Sequence, residues 1–264
     1  MMSEYPKISI VTPSSNQGQF IAEAIQSVLD QGHQNVEHII VDNCSNDETL
    51  KVLARYPHLK VICEKDRGQS DALNKGFKIA KGDIIGWLNA DDLYLPGCFD
   101  HMLKAFSTHP SYDLVYGDYC FVDVQGRLIQ IRKELDFDLF MLKYLHVLYI
   151  PTTTTFFNRK IFDEGNFLNI DYQYAMDYEF FVRIAQRGYK FGHIPQLMAN
   201  FRWHKDAKSS RQAANQKDEM EKALLEQDEF LAKLPLTERN FMRNLLMYLS
   251  RFKRYVLKAL RGAY

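Results

Sequence analysis

Lys7-Ile8-Ser9-Ile10-Val11-Thr12 is a short β-rich run that stops at Pro13, and the loop Ser14–Gly18 leads into Phe20–Leu29, whose apolar residues at 21, 25 and 28 keep helical spacing. The same strand, loop and helix recur downstream. His38–Asp42 reads as a strand, Asn43–Asp47 as a turn-rich loop and Glu48–Tyr56 as a helix closed by Pro57. A third strand is expected at Leu59–Cys63, a helix over 70–80 stopped by Lys81-Gly82, and a fourth strand at Ile84–Leu88. Nearly continuous apolar strands alternating with helices predict an α/β fold, a mostly parallel sheet covered on both faces. Ligands of such sheets bind beyond the carboxyl ends of the strands, which directs attention to Thr12, Asp42 and the residues after Leu88.

Past residue 96 a helix is expected over 97–107, a strand at Leu114–Asp118 and a hairpin within Phe121–Arg132. An aromatic-rich helix or loop should occupy 137–148, and the four threonines of Pro151–Phe157 read as a strand. Asp177–Gln186 should be helical, Lys190–Ile194 a short strand, and the chain from Lys217 two helices broken at Pro235.

With 264 residues and 46% hydrophobic content the chain can bury a large core without disulfides or a structural metal. Cys44, Cys63, Cys98 and Cys120 match no zinc or thiol-redox spacing and read as bystander thiols. No run of uncharged apolar residues is long enough to span a bilayer, and the first residues lack the pattern of a secretory leader, so a cytoplasmic location is expected. The balance of 33 basic against 33 acidic residues hides a division: residues 237–264 carry seven Lys or Arg against Glu238, and the remainder is acidic by six charges.

The strongest local chemistry lies in Trp87-Leu88-Asn89-Ala90-Asp91-Asp92-Leu93-Tyr94-Leu95-Pro96, where a hydrophobic strand runs into adjacent carboxylates. Mg²⁺ or Mn²⁺ on a nucleotide diphosphate is commonly held by one or two carboxylates plus phosphate oxygens, a task open to Asp91 and Asp92; capping a helix that starts near Pro96 is the alternative. Upstream, Glu64–Gly76 is a polar loop entering a helix. Arg67 and Lys75 could meet phosphate there, and Asp71 could accept from a base or ribose.

Together with Thr12-Pro13-Ser14-Ser15-Asn16-Gln17 and Val41–Asp47, these ordered segments resemble the inverting family 2 glycosyltransferases over about Lys7–Trp203. The resemblance implies a GT-A fold, with a nucleotide-binding half at about 5–97 and an acceptor half at about 98–215. Residues 216–264 would form a helical appendage. It places Thr12 and Pro13 in the nucleotide pocket, Asp42 at the base, Asp71 by the nucleotide and Asn89-Ala90-Asp91 in the family's DxD position, with Asp92 as an extra carboxylate. Asn89 departs from a strict DxD, and Asn43-Cys44 stands where Gly-Gly is usual. Asp177, in Tyr174–Phe181, matches the catalytic base, in preference to Glu179; it could equally cap its helix. Phe201-Arg202-Trp203-His204 with Ser209 and Ser210 resembles a segment whose histidine, here His204, helps ligate metal or diphosphate. Asp118 could reach the acceptor or form a turn. Trp87 and the tyrosines at 144, 149, 172 and 174 could stack on sugars or be buried. The implied cofactor is Mn²⁺ or Mg²⁺, the donor a UDP-, GDP- or dTDP-sugar and the acceptor a glycan or lipid-linked molecule, in polysaccharide or glycoconjugate synthesis.

Two other functions fit the sequence less well. A nucleotidyltransferase would carry a basic Gly-rich loop after the first strand, where Pro13–Gly18 has no Lys or Arg. A non-catalytic nucleotide-sugar sensor or scaffold would have no use for Asp177. On a helical wheel of the tail, Phe241, Leu245, Tyr248, Leu249, Phe252, Val256 and Leu260 share one arc, and Arg239, Arg243, Arg254, Lys258 and Arg261 the opposing one. Such a helix packs its apolar arc on its own domain, on a second subunit in a homodimer, or on the inner face of a membrane. The acidic body argues against nucleic acid.

Overall fold

In the computed structural model, residues 6–204 and 213–262 are described. Ser209 and Ser210 lie outside them. A sheet of nine strands among these residues runs β3-β2-β1-β4-β8-β6-β9-β5, with β7 paired to β6. Its first half is the expected parallel unit: β1 (Ile8–Ser14) lies between β2 (Val36–Asp42) and β4 (Ile84–Trp87), and β3 (Lys60–Cys63) flanks β2. Helices α1 (Ile21–Leu29), α2 (Thr49–Leu53) and α3 (Gln69–Ile79) are the crossovers. α3 rests so close on the sheet that a Cβ at Gly76 would lie 2.3 Å from Val11 Cγ1, so only glycine fits. The chain leaves β1 toward β2 on one side and returns to β4 on the other, and this reversal opens a crevice at the carboxyl ends of β1 and β4.

The second half is mixed. β4 pairs antiparallel with β8 (Phe156–Asn158), β8 antiparallel with β6 (Leu114–Val122), and β6 parallel with β9 (Phe191–Arg202). β5 (Leu93–Tyr94) pairs antiparallel with β9, and β7 (Leu128–Arg132) closes the expected hairpin. Two strand expectations change. Thr152–Thr154 forms a 3-10 turn instead of a strand, because the hydroxyls of Thr153, Thr154 and Thr155 bond Asp92, the Gly117 carbonyl and the Pro151 carbonyl. Such side-chain bonds compete with a ladder. β9 continues past Ile194 to Arg202, since Pro195 falls where the β6–β9 register slips and needs no ladder donor.

The remaining helices are α4 (Cys98–Thr108), α5 (Leu139–Tyr144), α6 (Lys160–Asp163) and α7 (Met176–Gln186). Among the described residues the C-terminal part is three helices rather than two: α8 (Ala213–Gln227), α9 (Glu229–Lys233) and α10 (Leu236–Arg261). The break before α9 comes from Asp228, whose carboxylate caps it at Leu231 N–H.

Candidate active site

A cavity of about 480 Å³ opens in the crevice. Pro13 and Ser14 from the end of β1, Asn43 after β2, and Trp87 at the end of β4 form one side. Gly68 and Gln69, at the start of α3, form another. Gly68 has φ +121°, and a Cβ there would lie 2.3 Å from Gln173 Oε1 of the facing wall.

Beyond Trp87 the chain makes a tight turn. Asn89 and Asp91 face the cavity, while Asp92 does not. Asn89 Oδ1 accepts from Gln69 Nε2 and Trp87 Nε1, both at 2.9 Å, and its amide donates to Asp92 Oδ2 at 3.1 Å. An aspartate at 89 could accept the first two but would set a second negative charge against Asp92, which gives this departure a physical reason. Asp92 is fully buried. Its Oδ1 accepts from Arg202 N–H at 3.0 Å and its Oδ2 from the Thr153 hydroxyl at 2.5 Å. Burial, then the Asp91 charge, pushes the Asp92 carboxyl up to about 7 against those hydrogen bonds. The expected second metal ligand is thus a buried anchor. Neither aspartate caps α4, whose first residue is Cys98.

Asp91 meets the far end of the chain. Its Oδ2 lies 2.9 Å from His204 Nε2, just after β9, and both residues line the cavity. Arg202, 2% exposed, locks this junction: Nε donates to the Asp91 carbonyl at 3.0 Å, and one terminal nitrogen to the Val124 carbonyl at 2.8 Å. The other donates to Glu23 Oε2 of α1 at 2.7 Å. The guanidinium also sits 4.8 Å from the Phe20 ring centre.

Asp177 lines the cavity from the second position of α7. Its Oδ1 accepts from Tyr178 N–H in the first turn at 2.8 Å, and Glu219 of α8 fixes the backbone leading into the helix by accepting from the N–H groups of Gln173, Tyr174 and Ala175 at 2.6–3.0 Å. Gln216 lines the cavity too, so residues beyond the expected boundary at 215 take part in the site. Glu179 is buried and bound to Arg183 Nε at 2.6 Å.

Among known proteins, the family model described as glycosyl transferase family 2 matches residues 9–165, more than half of the chain. The chain belongs to glycosyl transferase family 2. An uncharacterised glycosyltransferase of Rickettsia prowazekii is 30% identical over 82% of this chain and 70% of its own length. Chondroitin synthase of Escherichia coli is 26% identical over 82% of this chain, which spans only 32% of that enzyme. Among solved structures, a fragment of S. aureus TarS overlays with a TM-score of 0.64 at 17% identity, over 94% of this chain and 72% of the fragment. Mannosyltransferase PcManGT from Pyrobaculum calidifontis, in complex with GDP-Man and Mn²⁺, overlays at 0.66 and 17% identity, over 99% of this chain and 76% of its own. These neighbours establish a GT-A fold.

Pro13, Asn89, Asp91, Asp177 and His204 of this glycosyltransferase gather on the one cavity; six other expected residues do not line it. Thr12 is buried beneath, bonded to His38 Nε2 at 2.9 Å. Asp42 is buried and ties the ends of β1 and β2, accepting from the Ser14 hydroxyl and from the N–H and hydroxyl of Ser45. Asp71 accepts from Arg67 N–H, and Lys75 reaches Glu64 at 3.0 Å and the Lys65 carbonyl at 2.8 Å. Asp92 completes the six. Asp118 is buried within β6, facing His193 Nε2 at 2.8 Å. Of the four tyrosines, Tyr174 alone lines the cavity. Sequence reading missed Gln69, Thr153, Gln173 and Glu219. Gln69 lies inside the polar Glu64–Gly76 segment, which is its sequence signal; the others act through contacts distant in sequence.

Proposed function

We propose that this glycosyltransferase moves a sugar from a nucleotide diphosphate sugar to the hydroxyl of a glycan or lipid-linked acceptor, with inversion, in the synthesis of a cell-surface polysaccharide or glycoconjugate. The observation that carries the reading is one cavity with Asp91 and His204 paired on one wall and Asp177 on another. The neighbours TarS, in complex with UDP-GlcNAc, and PcManGT, in complex with GDP-Man, support a nucleotide-sugar donor.

Among the described residues no three His, Cys, Asp or Glu side chains gather into a metal cage made by protein alone. The Asp91 carboxylate and His204 imidazole fit an ion that takes its remaining ligands from diphosphate oxygens and water, the usual manner of Mg²⁺ and the oxygen-preferring Mn²⁺. Such an ion supplies charge neutralisation of the departing diphosphate. Asn89, fixed by Trp87 and Gln69, orients the turn that carries Asp91. Asp177 takes the proton of the acceptor hydroxyl as its oxygen bonds the anomeric carbon and the sugar–phosphate bond breaks. Glu219, by fixing the backbone that leads into α7, holds Asp177 in place for that transfer.

Asp177→Asn should lower sugar transfer by about 10²–10⁴-fold, the usual worth of a general base, with donor affinity changed only a few-fold. Thermal-shift screening against UDP-, GDP- and dTDP-sugars, with and without Mn²⁺, identifies the donor. Full activity of Asp177→Asn would remove the base assignment, and no stabilisation by any nucleotide sugar would remove the donor class.

A further inference from the structure

The C-terminal helix is oriented opposite to the usual amphipathic arrangement. Most of its cations face the protein: Arg243 pairs with Glu221, Lys253 with Asp138, Arg261 with Asp136, and Arg254 with Glu134 at 3.0 Å. Lys258 lies 3.8 Å from the same Glu134 and donates to the Lys133 carbonyl at 2.7 Å. The segment 133–138 and α8 therefore supply an acidic seat, and Leu257 packs against the core beside it.

The apolar arc is left facing outward. Phe241, Tyr248, Phe252 and Tyr255 are 63–69% exposed and Leu260 79%, with Leu245, Leu249 and Val256 partly exposed between them. At about 200 Å² per aromatic side chain, the four rings alone show roughly 500 Å². With the aliphatic residues the stripe exceeds the roughly 300–600 Å² that forms the largest patch on an ordinary monomer. It runs along a helix about 39 Å long.

We propose that α10 is an interfacial membrane anchor, held to the enzyme by its cations and seated by its apolar stripe in the headgroup and acyl boundary of an anionic lipid surface. Charge favours that occupant. From Phe241 to Leu260 the sequence holds five cations and no carboxylate, and Arg251 is exposed within the stripe. The six cations from Arg243 to Arg261 outnumber the four carboxylates that seat the helix, Glu134, Asp136, Asp138 and Glu221, so this side of the protein is left positive. Aromatic residues suit an interface where one end of a ring is apolar and the other wet. A second copy fits less well: a self-paired helix seam prefers Leu, Ile and Val to Phe and Tyr. An antiparallel pair centred on the stripe would also bring two Arg251 side chains together. No helix among the described residues is long and apolar enough to cross a membrane, so the helix lies on the surface.

Flotation of the full chain with phosphatidylcholine vesicles, with and without phosphatidylglycerol, tests this without requiring turnover, so its outcome is separate from the sugar-transfer reading. Binding should appear on the phosphatidylglycerol vesicles and weaken in high salt. Leu249→Glu with Phe252→Glu should lower it at least about tenfold, because apolar area is lost and like charge added. Both positions are exposed, so circular dichroism and thermal unfolding should match wild type. Absence of flotation, equal flotation on neutral and anionic vesicles, or equal flotation of the double variant would overturn the proposal. So would a dimer in sedimentation equilibrium that the double variant disperses, which would assign the stripe to a second copy.

Discussion

Replacing Arg202 by Met keeps the aliphatic stem and most of the volume of a buried side chain while deleting its guanidinium. Three hydrogen bonds go with it: to the Asp91 carbonyl, the Val124 carbonyl and Glu23. Glu23 is 56% exposed, so that ion pair contributes about 0–1 kcal/mol. The two carbonyls, each in a part-buried bond to this buried arginine, lose charged donors, at about 1.5–3 kcal/mol each. Arg202→Met should therefore cost about 3–5 kcal/mol, a fall in melting temperature of roughly 10 °C for a chain of this size. Urea unfolding followed through Trp87 and Trp203 reads the loss, since the first touches Asn89 and the second adjoins Arg202. Transfer assays in conditions where the variant is folded read the function. The Asp91 turn would lose its tether, so half-maximal activity should require more Mn²⁺, while Arg202→Lys, with one compact donor group in place of a fork, should fall between. A stability within about 1 kcal/mol of wild type, with an unchanged Mn²⁺ titration, would refute the view that this arginine holds the junction.

Glu219→Ala removes the acceptor of the three amides that lead into α7 and should cost about 2–3 kcal/mol. It should lower kcat more than it raises KM for the donor, as steady-state kinetics would register. Gly68→Ala forces a side chain into a positive-φ position and against Gln173; a cost of about 1–3 kcal/mol and weaker donor binding by calorimetry are expected. His38 is buried beside Thr12, and desolvation, with a smaller contribution from His58, holds its imidazole down to about 3. The unfolded chain binds this proton near pH 6.5 and the folded chain does not, so stability is complete above that pH and falls as pH drops toward 3. The slope approaches about 1.4 kcal/mol per pH unit; urea titrations of wild type and His38→Gln across this window should differ by that slope, and parallel curves would count against it.

The parallel half of the fold was legible because its strands are apolar on both faces and its loops carry Gly, Pro, Asn and Asp. β9 was not, because Pro195 looks like an end when the bulge that accommodates it depends on β6. Within the site, motifs identified residues but not directions. Asp91 and Asp92 are neighbours in sequence, yet one carboxylate faces His204 and the other Thr153. The motifs holding Asp42 and Asp71 do not show that both carboxylates also close loops. Glu219 could not be found at all, since its partners are amide groups more than 40 residues away. The helical wheel sorted α10 into the right two arcs. It could not say which arc turns inward, because that depends on carboxylates at 134, 136 and 138 on another segment.

The junction of Asp91 with His204 also bears on how the enzyme comes into being. The strands β1 to β4 can pair while the chain is still short, because each crossover joins neighbours in sequence. The Asp91 carboxylate, its backbone tether and the Asp92 anchor are completed only when Arg202 and His204 arrive, more than 100 residues later. During synthesis the first half can hold its sheet well before it holds the Asp91–His204 pair. Closure of β9 beside β6 is then the event that turns a folded half into a finished site, a late, long-range step of the kind that slows folding.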